Sequence, residues 1–250
     1  MAWSPRTVNL PAPYLRRVWL DRTKIADAAH YPFCLPMFAD EFELNFNKPI
    51  TIIVGENGTG KSTLLEGIAK MAGYDQSGGG LGYMPVDHSA SLEKSADLLG
   101  SAFRASWLPK ITKGWFFKAE SFFAIARYLD SVGSPVADYL SHSHGEGFLR
   151  FFTERMNRQG IYILDEPESA LSPTRQIEFL KQLRKMEASK HCQVIMATHS
   201  PILMAYPGAT LLRLDKYGPQ PARPDEIEHF RLMREFFQDP KGLIETMLET

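Results

Sequence analysis

Gly55-Glu56-Asn57-Gly58-Thr59-Gly60-Lys61-Ser62 decides the reading of this chain. It fits G-x-x-x-x-G-K-[ST] without a mismatch. Upstream, Ile50-Thr51-Ile52-Ile53-Val54 has the β-branched density of a short strand. Downstream, Leu64, Leu65, Ile68, Ala69 and Ala72 recur at helical spacing until Gly73 stops the run. Strand, glycine-rich turn and helix form the context this motif needs. Glycines let backbone N–H groups converge on phosphate oxygens, and the helix N-terminus adds its partial positive charge. The loop residues Gly55, Glu56, Asn57, Gly58, Thr59 and Gly60, with Thr63 just beyond, are expected to surround the phosphates. Lys61 is expected to reach the β- and γ-phosphates and Ser62 to hold Mg²⁺. The chain is therefore expected to bind a nucleoside triphosphate.

Two further motifs follow in order. Ile161-Tyr162-Ile163-Leu164-Asp165-Glu166-Pro167 is an apolar run ending in two carboxylates. A strand buried on both faces reads this way. Asp165 is expected to orient Mg²⁺ or its water. Glu166 is expected to polarise a water aimed at the γ-phosphate, since neighbouring carboxylates take different roles in different environments. The third motif is Ala197-Thr198-His199-Ser200-Pro201, after the apolar run Val194-Ile195-Met196. It puts an imidazole at the carboxyl edge of a sheet, where ligands bind in α/β folds. His199 is expected to meet the γ-phosphate or the attacking water, with a plain turn histidine as the alternative.

Phosphate loop, Asp-Glu-Pro strand and Thr-His-Ser strand, in this order, resemble the ATP-binding-cassette (ABC) class of P-loop ATPases. The wording is closer to the stand-alone RecF and SMC branch than to transporter subunits. The resemblance covers about residues 40–215. It implies an α/β fold with a mostly parallel sheet flanked by helices, N-terminal antiparallel strands and a short helical insertion. It also implies ATP and Mg²⁺ as ligands and a head-to-head homodimer that sandwiches ATP. In such a dimer a signature segment from one subunit meets the other's nucleotide. Ser143-His144-Gly145-Glu146 sits where the family carries Ser-Gly-Gly-Gln. Ser143 and the Gly145 N–H keep their donors, but Glu146 brings a negative charge toward phosphate unless it faces away. Phe148, Leu149, Phe152 and Met156 continue as an amphipathic helix whose N-terminus points at that site.

Other positions depart from the family pattern. Ser172 stands where an aspartate usually closes the D-loop, and Ser172-Pro173 also reads as a helix cap and first turn, ahead of Ile177, Leu180 and Leu183 on one face. The glutamine that senses Mg²⁺ has no obvious counterpart. Gln76 lies beside Gly78-Gly79-Gly80, in a loop. Glu120, ending the strand-like Trp115-Phe116-Phe117-Lys118-Ala119, is the candidate for that metal-side position. A carboxylate opening a helix over 121–129 is its alternative. Tyr31 or Phe33 is placed to stack on adenine or simply to pack.

Composition bounds the rest. The 250 residues, 44% hydrophobic, suit one α/β domain over 1–250. An irregular, partly helical insertion is expected over 75–140 and a helical tail over 225–250. Residues 14–20 and 41–54 read as a strand pair entering the core. No apolar run approaches the length of a membrane span. Cys34 and Cys192 are the two cysteines, without paired spacing, which suggests a reducing cytoplasm and no zinc site. His142 and His144 lack a third ligand. The net charge of −1 carries no global nucleic-acid signature. Arg104, Lys110, Lys113 and Lys118 nevertheless alternate with Phe103, Trp107, Trp115, Phe116 and Phe117. That pattern fits single-strand contact or an ordinary core strand. The tail carries seven carboxylates among Ile227, Phe230, Leu232, Met233, Phe236 and Phe237. It is expected to dock on the core or to bind a protein partner.

Three roles follow for ATP. It drives a process in DNA repair, genome maintenance or defence, or it powers the nucleotide-binding subunit of a transporter. In the third role it gates an interaction module without turnover.

Overall fold

Ile50–Val54 forms the central strand that the phosphate-loop motif requires, and every residue in it is buried. The computed structural model describes residues 10–75, 78–80, 94–119 and 144–249. In chain order the strands are β1 (Leu15–Leu20), β2 (Glu43–Asn45), β3 (Ile50–Val54), β4 (Gly79–Gly80), β5 (Phe103–Trp107), β6 (Gly114–Lys118), β7 (Gly160–Asp165), β8 (Cys192–Ala197), β9 (Thr210–Asp215) and β10 (Gly218–Pro221). The helices are α1 (Lys61–Ala72), α2 (Lys94–Ala102), α3 (His144–Arg155), α4 (Pro173–Ser189), α5 (Pro201–Met204), α6 (Glu228–Gln238) and α7 (Pro240–Leu248). Gln76, Glu120, His142, Ser143 and the expected helix over 121–129 lie outside the described residues.

The main sheet has the order β10-β9-β3-β8-β7-β6-β4. Pairing is parallel from β9 through β6, and the edge strands β10 and β4 are antiparallel. Alternation along each strand feeds two cores. Ile53, Ile161, Ile163 and Ile195 face Leu64, Leu65 and Ile68 of α1 and the second, three-stranded sheet. Val54, Tyr162, Leu164, Val194 and Met196 face Phe148, Phe151 and Phe152 of α3 and Phe179, Leu183 and Met186 of α4. The expected α/β architecture, with helices on both faces and antiparallel strands at the N-terminus, is the one observed.

Several boundaries differ from the sequence reading. The stretch 41–54 is not one strand paired with 14–20. Only β2 pairs with β1, and β3 leaves for the main sheet. A short connection over Phe46–Pro49, bent at Lys48–Pro49, separates them, as an internal proline with no N–H to give would predict. Within 75–140, β5 joins the small sheet and β4 and β6 join the large one, so this segment supplies core strands. The buried face of α4 carries Gln176, Phe179, Leu183 and Met186, while Ile177 points to solvent. In the tail, Ile227 is buried and Phe230 packs beside the core, but neither α6 nor α7 buries a residue fully. Phe103, Phe116 and Phe117 are buried, so these rings are closed to base stacking. Arg104 pairs with Asp21 at 2.9 Å.

One buried side chain joins the two sheets. Gln193, on β8 and fully buried, accepts from the backbone N–H groups of Tyr14 and Leu15, both at 2.8 Å. Its Nε2 donates to the Leu15 carbonyl at 2.9 Å. A glutamine on a central strand is expensive unless every polar atom is matched. Here it satisfies the end of β1 where no strand can. Gln193→Leu keeps volume but orphans two donors and an acceptor. It is expected to lower stability by about 3 kcal/mol or more, read as a reduced urea midpoint with an unchanged slope.

Candidate active site

The phosphate loop is shaped by glycine. Gly58 and Gly60 take φ of 79° and 91°, a region that disfavours side chains. A Cβ on Gly55 would lie 2.6 Å from the Leu214 carbonyl oxygen, so β9 forbids one there. Thr59 closes the turn through its N–H and Oγ1, both donating to the Glu56 carbonyl. Lys61, only 5% exposed, donates from Nζ to the Gly55 and Glu56 carbonyls, each at 2.9 Å. Burial pushes its pKa down, against the pull of Glu166, Asp165 and Glu56. The loop's own carbonyls thus hold the ammonium where phosphate oxygens would compete for it.

Behind Lys61, Ser62 Oγ donates to Asp165 Oδ1 at 3.2 Å, across 103 positions of sequence. Asp165 ends β7 and is 6% exposed, and burial pushes its pKa up to about 6. The bond from Ser62 and the charge of Lys118 oppose that rise. Lys118 ends β6 opposite Asp165 and pairs with Glu66 of α1 at 2.8 Å, both side chains under one-fifth exposed. Sequence reading missed this pair. Its signal was present, because Glu66 lies one helical turn beyond Ser62.

Glu166 follows in the left-handed region, with φ 48° and ψ 54°. A non-glycine residue there is strained by about 1 kcal/mol or more. Its N–H donates to the Ala197 carbonyl at 3.1 Å, which ties this carboxylate to the end of β8. His199 Nε2 stands 3.7 Å from Glu166 Oε1, beyond hydrogen-bond reach, and has no hydrogen-bond partner among the described residues. Burial, then the Lys61 charge, lowers the His199 pKa, so the ring is neutral at pH 7. Ser200 caps α5 by accepting from the N–H groups of Ile202 and Leu203. Its Oγ also donates to Gln176 Oε1, and Gln176 Nε2 donates to the Leu171 carbonyl. Ser172 caps α4 with Pro173 at the first helical position, as its sequence reads.

Two cavities flank the loop. One, about 320 Å³, is lined by Tyr31, Leu35, Gly60, Lys61, Thr63 and Glu166. At its mouth the Tyr31 hydroxyl and Thr63 Oγ1 lie 2.6 Å apart. Phe33 is buried and belongs to the core. The other, about 610 Å³, runs from Glu56 and Asn57 past His199 to Arg213, His229 and Arg231. The structure therefore brings together the loop residues Gly55 to Thr63, Asp165, Glu166 and His199. Gly145 lies in the first turn of α3. Glu146 turns to α4, where its Oε1 accepts from Arg175 Nη2 at 2.7 Å. That pairing neutralises the acid.

The raised pKa of Asp165 makes a stability prediction. The folded value lies above the ordinary 3.8. The folded chain therefore binds the proton more tightly, and stability falls as pH rises from about 4 to about 6 and stays lower above. Asp165→Asn removes this loss. In chelator-treated buffer at pH 7.5 it is expected to be more stable than the parent by about 1–2 kcal/mol. Parallel urea titrations at pH 4 and pH 7.5 check it, with the gap between the two proteins widening at the higher pH.

Comparison with known proteins adds two sequence matches. Residues 34–93 match an AAA domain model. Residues 121–205 match one described as "AAA domain, putative AbiEii toxin, Type IV TA system". No protein of curated function matches the sequence. Among solved structures, the SMC head domain from Thermotoga maritima aligns over 84% of this chain and 100% of its own, at 15% identity and a TM-score of 0.47. A dimeric bacterial ABC transporter cassette aligns over 74% of this chain and 88% of its own, at 15% identity and a TM-score of 0.40.

Proposed function

We propose that this chain, an ATP-binding P-loop ATPase of the ABC class, cleaves the γ-phosphate of ATP through Glu166 and His199. The observation that carries the reading is the Ser62–Asp165 contact beside Lys61 and Glu166. Five side chains meet at one sheet edge. Lys61 supplies positive charge to the β- and γ-phosphates. Glu166 accepts a proton from the attacking water, and neutral His199 donates or accepts a hydrogen bond beside it. Ser62 and Asp165 offer a hydroxyl and a carboxylate oxygen, the hard donors that suit Mg²⁺ shared with phosphates. When bound, that ion would neutralise charge on the phosphate oxygens.

Each open face of the phosphates needs a cover that excludes water. A second copy supplies it in this reading, through Ser143, Gly145 and the start of α3, giving two equivalent ATP sites across an isologous contact. Among the described residues no helix is long and apolar enough to cross a membrane. In this reading ATP drives a process in DNA repair, genome maintenance or defence. The match over 121–205 to a model described by a toxin–antitoxin system supports the last of these.

Lys61→Ala removes the cation at the β- and γ-phosphates. Calorimetry is expected to show ATP affinity reduced tenfold or more, about 1.4 kcal/mol. Glu166→Gln keeps the shape of the site without its base. It is expected to bind ATP normally while turnover falls about 10²-fold or more. Hydrolysis at the parent rate would remove Glu166 from the reaction. Dimerisation has its own check on a sizing column with light scattering. Glu166→Gln is expected to dimerise with ATP–Mg²⁺ and not with ADP. Ser143→Arg added to it should abolish the dimer.

A further inference from the structure

We propose that Glu168 is a positioning residue, holding His199 in place beside Glu166 by accepting the His199 backbone N–H. The inference deepens the ATPase reading and rests on it.

The backbone poses the problem. His199 follows the end of β8, where ladder hydrogen bonds stop and a part-buried N–H still needs a partner. It finds Glu168 Oε1 at 2.6 Å, 31 positions away in sequence. A carboxylate acceptor makes this bond short and strong. Nothing among the described residues accepts from or donates to His199 Nε2. That end of the ring is therefore not what fixes its aim. The anchored backbone is.

Glu168 is suited to the task by its place. It lies in the 3-10 turn Pro167–Ala170, directly after Glu166. The Ser169 N–H closes that turn onto the Glu166 carbonyl at 3.1 Å, and the Leu171 N–H onto the Glu168 carbonyl at 2.8 Å. The rigid turn that presents Glu166 therefore also grips His199. A half-buried acid beside a second acid is unfavourable, and burial pushes its pKa up. Packing alone would be served better by an apolar side chain. A second link runs in parallel, from Ser200 through Gln176 to the Leu171 carbonyl. It keeps the two loops attached when Glu168 is changed, so loss of Glu168 should release the aim of His199 without unfolding the chain.

The test is a double-mutant cycle in steady-state ATP hydrolysis. Glu168→Ala is expected to lower kcat about tenfold with KM for ATP within about twofold. Glu168→Gln, which keeps an acceptor oxygen, is expected to recover to within about threefold of the parent. In a His199→Ala background, Glu168→Ala is expected to change kcat by less than about twofold, because its effect runs through a ring no longer present. An equal fall in both backgrounds would overturn the proposal, as would a rise in KM at constant kcat. If Glu168→Ala melts below the assay temperature, Glu168→Met, which fills the space without an acceptor, takes its place in the cycle. Parent turnover that disappears in Lys61→Ala upholds the ATPase reading whichever way the cycle falls. Equal turnover by those two proteins would sink that reading instead.

Discussion

Parallel pairing of β3, β8 and β7 is the constraint on which the site depends. Ala197 of β8 lies opposite Ile53 on one side and Asp165 on the other. Three strands thus end at one level. The chain leaves β3 as the phosphate loop, β7 as Glu166 and β8 as Thr198-His199. Residues that are about a hundred positions apart in sequence become neighbours because the ladders put their strand ends in register. A shift of one residue would turn every side chain of the strand to the opposite core, so the packing of two hydrophobic faces guards the register of the chemistry.

That edge is also where the fold is least favourable. A buried lysine, a buried aspartate with a raised pKa and a strained glutamate sit together. Each departs from what stability alone would select. The surroundings restrain them through backbone. Lys61 is held by two loop carbonyls, Glu166 by the end of β8 and His199 by Glu168. A site built this way is already organised before nucleotide arrives, so binding need not supply that ordering.

The sheet and its motifs were legible because they rest on local patterns. Ile50–Val54 and Ile161–Leu164 are continuous apolar runs, and Gly60 and Gly73 mark the start and end of α1 by their backbone freedom. What escaped reading depends on contacts far apart in sequence. Gln193 looks like a polar interruption of a strand until Tyr14 and Leu15 are placed beside it. Glu146 looked like a misplaced charge until Arg175 appeared next to it. Glu168 was one acid among several after the Asp-Glu-Pro motif, and only the path of β8 shows what it bonds. The division of 41–54 between two sheets had a local clue in Pro49, which the alternation of apolar residues on either side concealed.

The central place of β3 has a consequence for how the chain comes to exist. Among the described residues its sheet partners are β8 and β9, which begin about 140 and about 160 residues later. During synthesis the phosphate loop emerges well before β8 and β9, attached to a strand whose sheet partners do not yet exist. At ~5–20 residues per second, several seconds or more pass before Cys192–Ala197 and Thr210–Asp215 leave the ribosome. An apolar, β-branched segment with open edges must wait through that interval. The nascent chain therefore cannot assemble its nucleotide site until β8 and β9 have been made, and Ile50–Val54 keeps both edges open until then.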